Sequence, residues 1–294
     1  MTNTSKIQIL TGAIIAILLS HRNFFDMIRY VLAVRSKLGM MKAVVFAVML
    51  RLNFMPSHSL QGVIDQNEIS FFKGGYEYCQ NSSIGVLFFP GALVDPIAYA
   101  PLLRLISHET NSHVVCLKLP FRNPVTFPRE EAFQLLMNRN SSIKSWIIAG
   151  HSMGSGIYGA AGLVAWAKKK YGASCNIHGL VMLAGAMSGS DVNLSDDLNL
   201  ESLVILGSED TIVPPLGNSE IGTPVKASIK EKLPRQTKLV ILQGANHAGF
   251  GNYGPQKFPY KDGLRTISID EQQKLSTQHI KEMIIKIKRV KKYN

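Results

Sequence analysis

Six short, nearly continuous apolar runs limit what this chain can fold into more than any other feature. They are IGVLFF (84–89), HVVCLKL (113–119), SWIIAG (145–150), GLVMLAG (179–185), SLVILG (202–207) and KLVILQ (238–243). A strand with one wet face alternates apolar and polar residues; runs without that alternation suit strands covered on both faces of a parallel sheet. Helical stretches lie among them at 96–109, 129–138, 154–171 and 219–232, and a last one at roughly 271–290 sets Ile280, Ile284, Ile287 and Val290 near one stripe. The first carries its own start signal, Asp95 as N-cap and Pro96 at the first helical position. Upstream, ISFFKGGYEYC (69–79) reads as two strands around a Gly-Gly turn. Strands alternating with helices in this way predict a doubly wound, mostly parallel α/β sheet.

That pattern begins near residue 55. We therefore divide the chain into an N-terminal region, 1–54, and an α/β domain, 55–294. The first region is apolar and basic. IQILTGAIIAILL (7–19) is short for a helix that spans a bilayer alone, which needs about 20 residues, and no small-residue cleavage site follows it. Next, Arg22, Asp26 and Arg29 share one helical face and Phe24, Ile28, Val31 and Leu32 another, before a second apolar run, AVVFAVML (43–50). We read 1–54 as a helical membrane anchor, spanning or interfacial, and the chain as membrane-associated; its charges do not set which side the domain occupies.

The formal charge of +12 first suggests a nucleic-acid partner, but its distribution opposes that. Residues 1–51 carry seven Lys/Arg against one acid, and residues 281–294 carry six against one, which leaves only +1 for the rest. Basic ends beside apolar runs fit an anionic membrane surface, and no nucleic-acid motif accompanies them. Cys79, Cys116 and Cys175 are scattered and odd in number, which argues against a disulfide framework or a zinc site. Nothing in the pattern calls for a cofactor, a metal or an obligate protein partner.

In an open parallel sheet, reactive groups gather beyond the carboxyl ends of the strands. After SWIIA comes GHSMG (150–154), a G-x-S-x-G turn with Ser152 at its centre, followed by SGIYGAAGLVAWAKKK. A strand–turn–helix of this kind holds a serine hydroxyl above the sheet at the start of a helix and directs the next N–H, that of Met153, to a reacting carbonyl oxygen. A serine needs a base, and the base needs an orienting acid. Asp210 follows SLVILG, with Glu209, Asp191, Asp196 and Asp197 as competitors; His247 lies in the glycine-rich loop after KLVILQ. The other histidines are weaker choices: His151 is inside the turn, His108 and His279 fall on helices, and His113 starts a strand. A second N–H donor for a tetrahedral intermediate is expected after the earlier strand, in LFFPGALVDP, from Ala92 with Leu93 as the alternative.

With these residues placed, the chain resembles the α/β-hydrolase superfamily over roughly 80–275. More narrowly, FFPGALVDPIAYAPLLRLI, GHSMG, LGSEDTIVP and GANHAGFGNYGPQ…KDG resemble mostly bacterial, serine-dependent α/β-hydrolases, loosely dienelactone-hydrolase-like, many with an N-terminal membrane segment. True dienelactone hydrolases use a cysteine nucleophile, where this chain has Ser152. The resemblance implies the α/β-hydrolase fold, a triad of Ser152, Asp210 and His247, and ester hydrolysis. It leaves Tyr253, Gln256 and Asp262 without a role beyond shaping the loop that holds His247.

Too few residues lie between GLVMLAG and SLVILG for a large lid, so an open cleft and a small or medium ester are expected. The loop PFRNPVTFP (120–128) reads equally as a pocket wall or a rigid connector. The expectation is a serine carboxylic-ester hydrolase working through an acyl-enzyme. Thioester hydrolysis or acyl transfer on the same triad stays open, as does a non-catalytic membrane-bound binding protein on a hydrolase scaffold.

Overall fold

A computed structural model describes residues 68–124, 129–187, 192–217, 225–257 and 260–292. The proposed anchor, 1–54, lies outside the described residues. All six apolar runs form strands, and with the hairpin they make one eight-stranded sheet in the order β1-β2-β4-β3-β5-β6-β7-β8. The strands are β1 Ile69–Phe72, β2 Gly75–Tyr78, β3 Ile84–Phe89, β4 His113–Leu117, β5 Ser145–His151, β6 Ile177–Leu183, β7 Glu201–Gly207 and β8 Lys238–Leu242. β2 runs antiparallel to β1 and β4, and every other pair is parallel.

The helices are α1 Ala100–Thr110, α2 Arg129–Arg139, α3 Ala160–Tyr171, α4 Val225–Lys232 and α5 Ile269–Lys292. Successive strand residues point to opposite faces, so each continuous run feeds two cores at once. Leu87, Phe89, Trp146, Ile148, Leu180, Met182, Val204 and Leu206 pack with Phe133 and Leu136 of α2, Leu163 and Val164 of α3, and Ile229 of α4. The alternate residues, among them Phe88, Ile147, Val181 and Ile205, are equally buried on the face where α1 and α5 lie. Burying one such side chain is worth about 1.5–3 kcal/mol, and this two-sided burial holds the sheet between both helical layers.

Three expectations need correction. β8 is an edge strand, not a doubly covered one: Lys238 and Ile241 are exposed and only Leu242 is buried. The helix expected at 96–109 is split. Asp95 does cap Pro96, through Ile97 N–H to Oδ1 at 3.1 Å, but it caps a 3-10 turn, Pro96–Tyr99. Pro101 has no N–H to continue that turn, and α1 starts afresh at Ala100. The helix expected from 154 begins only at Ala160, for a reason given below. Among the described residues, no helix is long and apolar enough to cross a membrane.

One consequence of the strand order positions the site. β3 lies between β4 and β5, with α1 following it on one face and α3 following β5 on the other. The chain leaves β3 and β5 in opposite directions, which opens a crevice at their carboxyl ends.

Candidate active site

Backbone strain collects at that edge. Four non-glycine residues with positive φ follow successive strand ends: Leu93 (67°), Arg122 (52°), Ser152 (52°) and Ala184 (45°), after β3, β4, β5 and β6. Each costs on the order of 1–3 kcal/mol and persists only where its surroundings hold it. The fifth, Asn111, is an ordinary left-handed cap at the end of α1.

Ser152 heads a 3-10 turn, Ser152–Gly154, directly after β5. The turn is tight enough to exclude side chains on either side of it. A Cβ on Gly150 would lie 2.3 Å from the Gly154 carbonyl oxygen, and one on Gly154 would lie 2.2 Å from that of Pro90. The second contact seats the turn on the loop that leaves β3. The α-helix does not follow at once. Gly154, Gly156 and Gly159 each disfavour helix by about 1 kcal/mol relative to alanine, and the Ser155 hydroxyl donates back to the Ser152 carbonyl at 2.6 Å. The chain makes a wider turn instead, with Ala161 N–H on the Ser155 carbonyl and Gly162 N–H on that of Gly156. The serine therefore stands on a strained turn and not at the start of an α-helix.

Ser152, His247 and Asp210 form one hydrogen-bonded line. Ser152 Oγ is 2.9 Å from His247 Nε2, and His247 Nδ1 is 2.9 Å from Asp210 Oδ2. The other carboxylate oxygen, Oδ1, accepts Ile212 and Val213 N–H, both at 2.8 Å. With Oδ2 accepting from Nδ1–H, Nε2 is left as the acceptor of the serine proton. The His247 and Asp210 side chains are 2% and 0% exposed, while Ser152 is half-buried and reachable. Burial pulls the His247 pKa down, but the charge and hydrogen bond of Asp210, with a further pull from Asp262, outweigh it and leave the pKa above the ordinary imidazole value.

The loop after β8 is held from two directions. Asp262 accepts Ala248 N–H and Gly263 N–H, both at 2.8 Å, next to His247. From α5, Gln272 accepts Asn246 N–H and donates to the Asn246 carbonyl. Tyr253 is buried and its hydroxyl reaches Gln256 at 3.5 Å, so these residues do shape the loop.

The two expected N–H donors come from the turn of Ser152 itself and from the loop after β3 that the turn rests on. Leu93 is ruled out, since its N–H goes to the Arg122 carbonyl at 2.7 Å; among the described residues the Ala92 N–H has no acceptor. Met153 is within the leading turn of a 3-10 segment, where N–H groups have no acceptor inside the turn. Arg122, in the part of the 120–128 loop that is described, also pairs with Asp95 at 2.7 Å. It clamps the Ala92 loop by backbone and side chain; residues 125–128 lie outside the described residues.

The competitors lie in other contacts. Glu209 accepts from Ser208, Asp197 pairs with Lys168 at 3.0 Å, Asp196 is near Ser195, and Asp191 lies outside the described residues. His108 faces Glu68, His113 faces Glu77, and His279 faces Glu282. None of the three cysteines is in a disulfide, and among the described residues no group of three His, Cys, Asp or Glu could hold a metal ion. Sequence reasoning passed over Tyr99 and His151. His151 is part of the turn, yet its buried ring lies 4.7 Å from that of His247, centroid to centroid.

Residues 85–274, well over half of the chain, match the profile of the Alpha/beta hydrolase family. Solved structures share the fold. An esterase of Pyrobaculum calidifontis matches at TM-score 0.51 and 11% identity, over 83% of this chain and 98% of that one. Fungal esterases of Rhizomucor miehei match at 0.50 and 15%, over 85% and 97%. Carboxyl esterase 2 of the fungus Tuber melanosporum matches at 0.50 and 12%, over 75% and 89%. No curated protein matches. Strand order, strained turn and family profile agree: the chain belongs to the alpha/beta hydrolase family.

Proposed function

We propose that the protein is a serine carboxylic-ester hydrolase acting on a small or medium ester. One observation carries this reading: the line from reachable Ser152 through buried His247 to buried Asp210, with both bonds at 2.9 Å. His247 Nε2 takes the Ser152 proton as Oγ attacks the ester carbonyl carbon. Ala92 and Met153 N–H face the resulting oxyanion. His247 returns the proton to the departing alkoxide, leaving an acyl-serine. Water, deprotonated by His247, then attacks the acyl carbon; the acid leaves and Ser152 regains its proton. The exposed Met153 beside the serine, at 41%, supports a cleft open to substrate. A fluorophosphonate probe should label the wild-type chain, with turnover of short p-nitrophenyl esters, and Ser152→Ala should abolish both. Undiminished labelling of that variant would overturn the assignment.

The same reading places the enzyme at a membrane through residues 1–54, whose apolar runs and basic residues support it. The full chain should sediment with membranes at neutral pH, and recovery in the supernatant would overturn the anchor; an alkaline carbonate wash then separates a spanning anchor, which is retained, from an interfacial one, which is released.

A further inference from the structure

Tyr99 and His151 take no part in the line Ser152–His247–Asp210, yet both are buried against it. The Tyr99 hydroxyl is 2.8 Å from His151 Nδ1 and accepts Gly91 N–H at 3.0 Å. Across the ring, His151 Nε2 is 3.1 Å from the backbone carbonyl of His247. A carbonyl only accepts, so the His151 proton sits on Nε2. Nδ1 is then an acceptor, the Tyr99 O–H donates to it, and the Tyr99 oxygen is left to receive Gly91 N–H. An imidazolium would turn Nδ1 into a donor, strand the buried Tyr99 proton and set a second charge beside His247. Burial, and then the charge of His247, hold the His151 pKa well below the ordinary imidazole value.

We propose that Gly91, Tyr99 and His151 form a positioning wire that holds the His247 loop at a set distance from the Ala92 loop during the ester hydrolysis proposed above, on which this inference rests. Its three donors all point one way, from the loop after β3 to the loop after β8, so each bond polarises the next. A second brace ties the same segments, Asn252 N–H to the Ala98 carbonyl at 2.8 Å. The wire also explains Gly91. A Cβ there would lie 2.8 Å from His151 Nδ1 and 3.0 Å from the Tyr99 hydroxyl, so a side chain would wedge the wire apart. The titratable groups facing the His151 ring are Tyr99, from the turn after β3, and His247 and Tyr253, from the loop after β8. Phe250 completes its surroundings. Among the described residues, no carboxylate hydrogen-bonds to it.

The test uses the full chain and the variants Tyr99→Phe, His151→Gln, their double, and Gly91→Ala, each checked for folding by thermal unfolding. In wild type, long-range 1H–15N spectra at neutral pH should show His151 neutral and protonated on Nε2. Tyr99→Phe should lower kcat about 10- to 100-fold, the scale of a displaced catalytic group, with KM little changed. The double variant should be no slower than the slower single, because both break one wire. Gly91→Ala should reproduce the kcat loss by a separate route. An Nδ1–H or charged His151, a folded Tyr99→Phe with wild-type kcat, or single effects that multiply in the double variant would each overturn the wire. Failure of the hydrolase reading looks different: there the wild-type chain itself would not react with the fluorophosphonate.

Discussion

The middles of the strands and their carboxyl ends are a few residues apart and follow opposite rules. In the middles, Ile147, Val181 and Ile205 are fully buried, the registers are parallel, and nothing polar is needed. At the ends, Tyr99, His151, Asp210, His247 and Asp262 are buried together, and the backbone at Leu93, Arg122, Ser152 and Ala184 is strained. The middles hold by area, which tolerates a lost methyl group at a graded cost. The ends hold by directed bonds and close backbone approach, which fail as units. A change in a strand middle should thus act on stability and leave the reaction intact, and a change of a reacting group at an end should act far more on the reaction than on stability.

The largest separation is expected between Ser152→Ala and Ile147→Ala. The first should lower kcat by about a million-fold, as triad deletions do elsewhere, with thermal stability close to wild type. The second should cost about 2–5 kcal/mol in denaturant unfolding while the folded fraction keeps its kcat. A serine variant that unfolds, or a core variant that turns over slowly while folded, would break the comparison. Asp210→Asn comes next. It should lower kcat about 10,000-fold, because an amide cannot hold His247 in the tautomer that leaves Nε2 free.

Gly154→Ala probes the border between the two rules. A methyl group there meets the Pro90 carbonyl at 2.2 Å, and the turn must lift from the β3 loop. Ester turnover should fall about 100-fold, as for a catalytic group displaced by an ångström. The smallest effect concerns pH. His247 must be neutral to accept the serine proton, so kcat/KM should fall as pH drops through its pKa. Asp210 and Asp262 place that midpoint above the ordinary imidazole value of 6.5. Asp262→Asn removes one of those pulls and should move the midpoint downward in a pH–rate profile, with the plateau at higher pH retained.

This division also explains what could be read in the sequence. The strand middles were legible because local pattern decides them: all six apolar runs are strands, and the last helix, expected at 271–290, spans Ile269–Lys292. The edge position of β8 is not legible, because the apolar content of KLVILQ does not reveal that it is last in the sheet. The ends were legible only where a short motif carries its own geometry. GHSMG marked Ser152, and Asp210 and His247 followed from their positions after later strands. The start of α3 lies later than the apolar pattern implies, because the glycines that shape the turn also undo the helix after it. Tyr99 and His151 were missed for a further reason. They meet 52 positions apart in sequence, and neither residue type is unusual for its local surroundings.

The depths at which Ser152 and His247 sit decide how the protein can be disabled. Ser152 is half-buried, but the imidazole behind it is 2% exposed. Histidine-directed reagents that work from bulk solvent, such as diethyl pyrocarbonate, should leave the enzyme running long after a serine-directed phosphonate has stopped it. On the proposed mechanism, a covalent inhibitor for this site would have to reach the Ser152 oxygen.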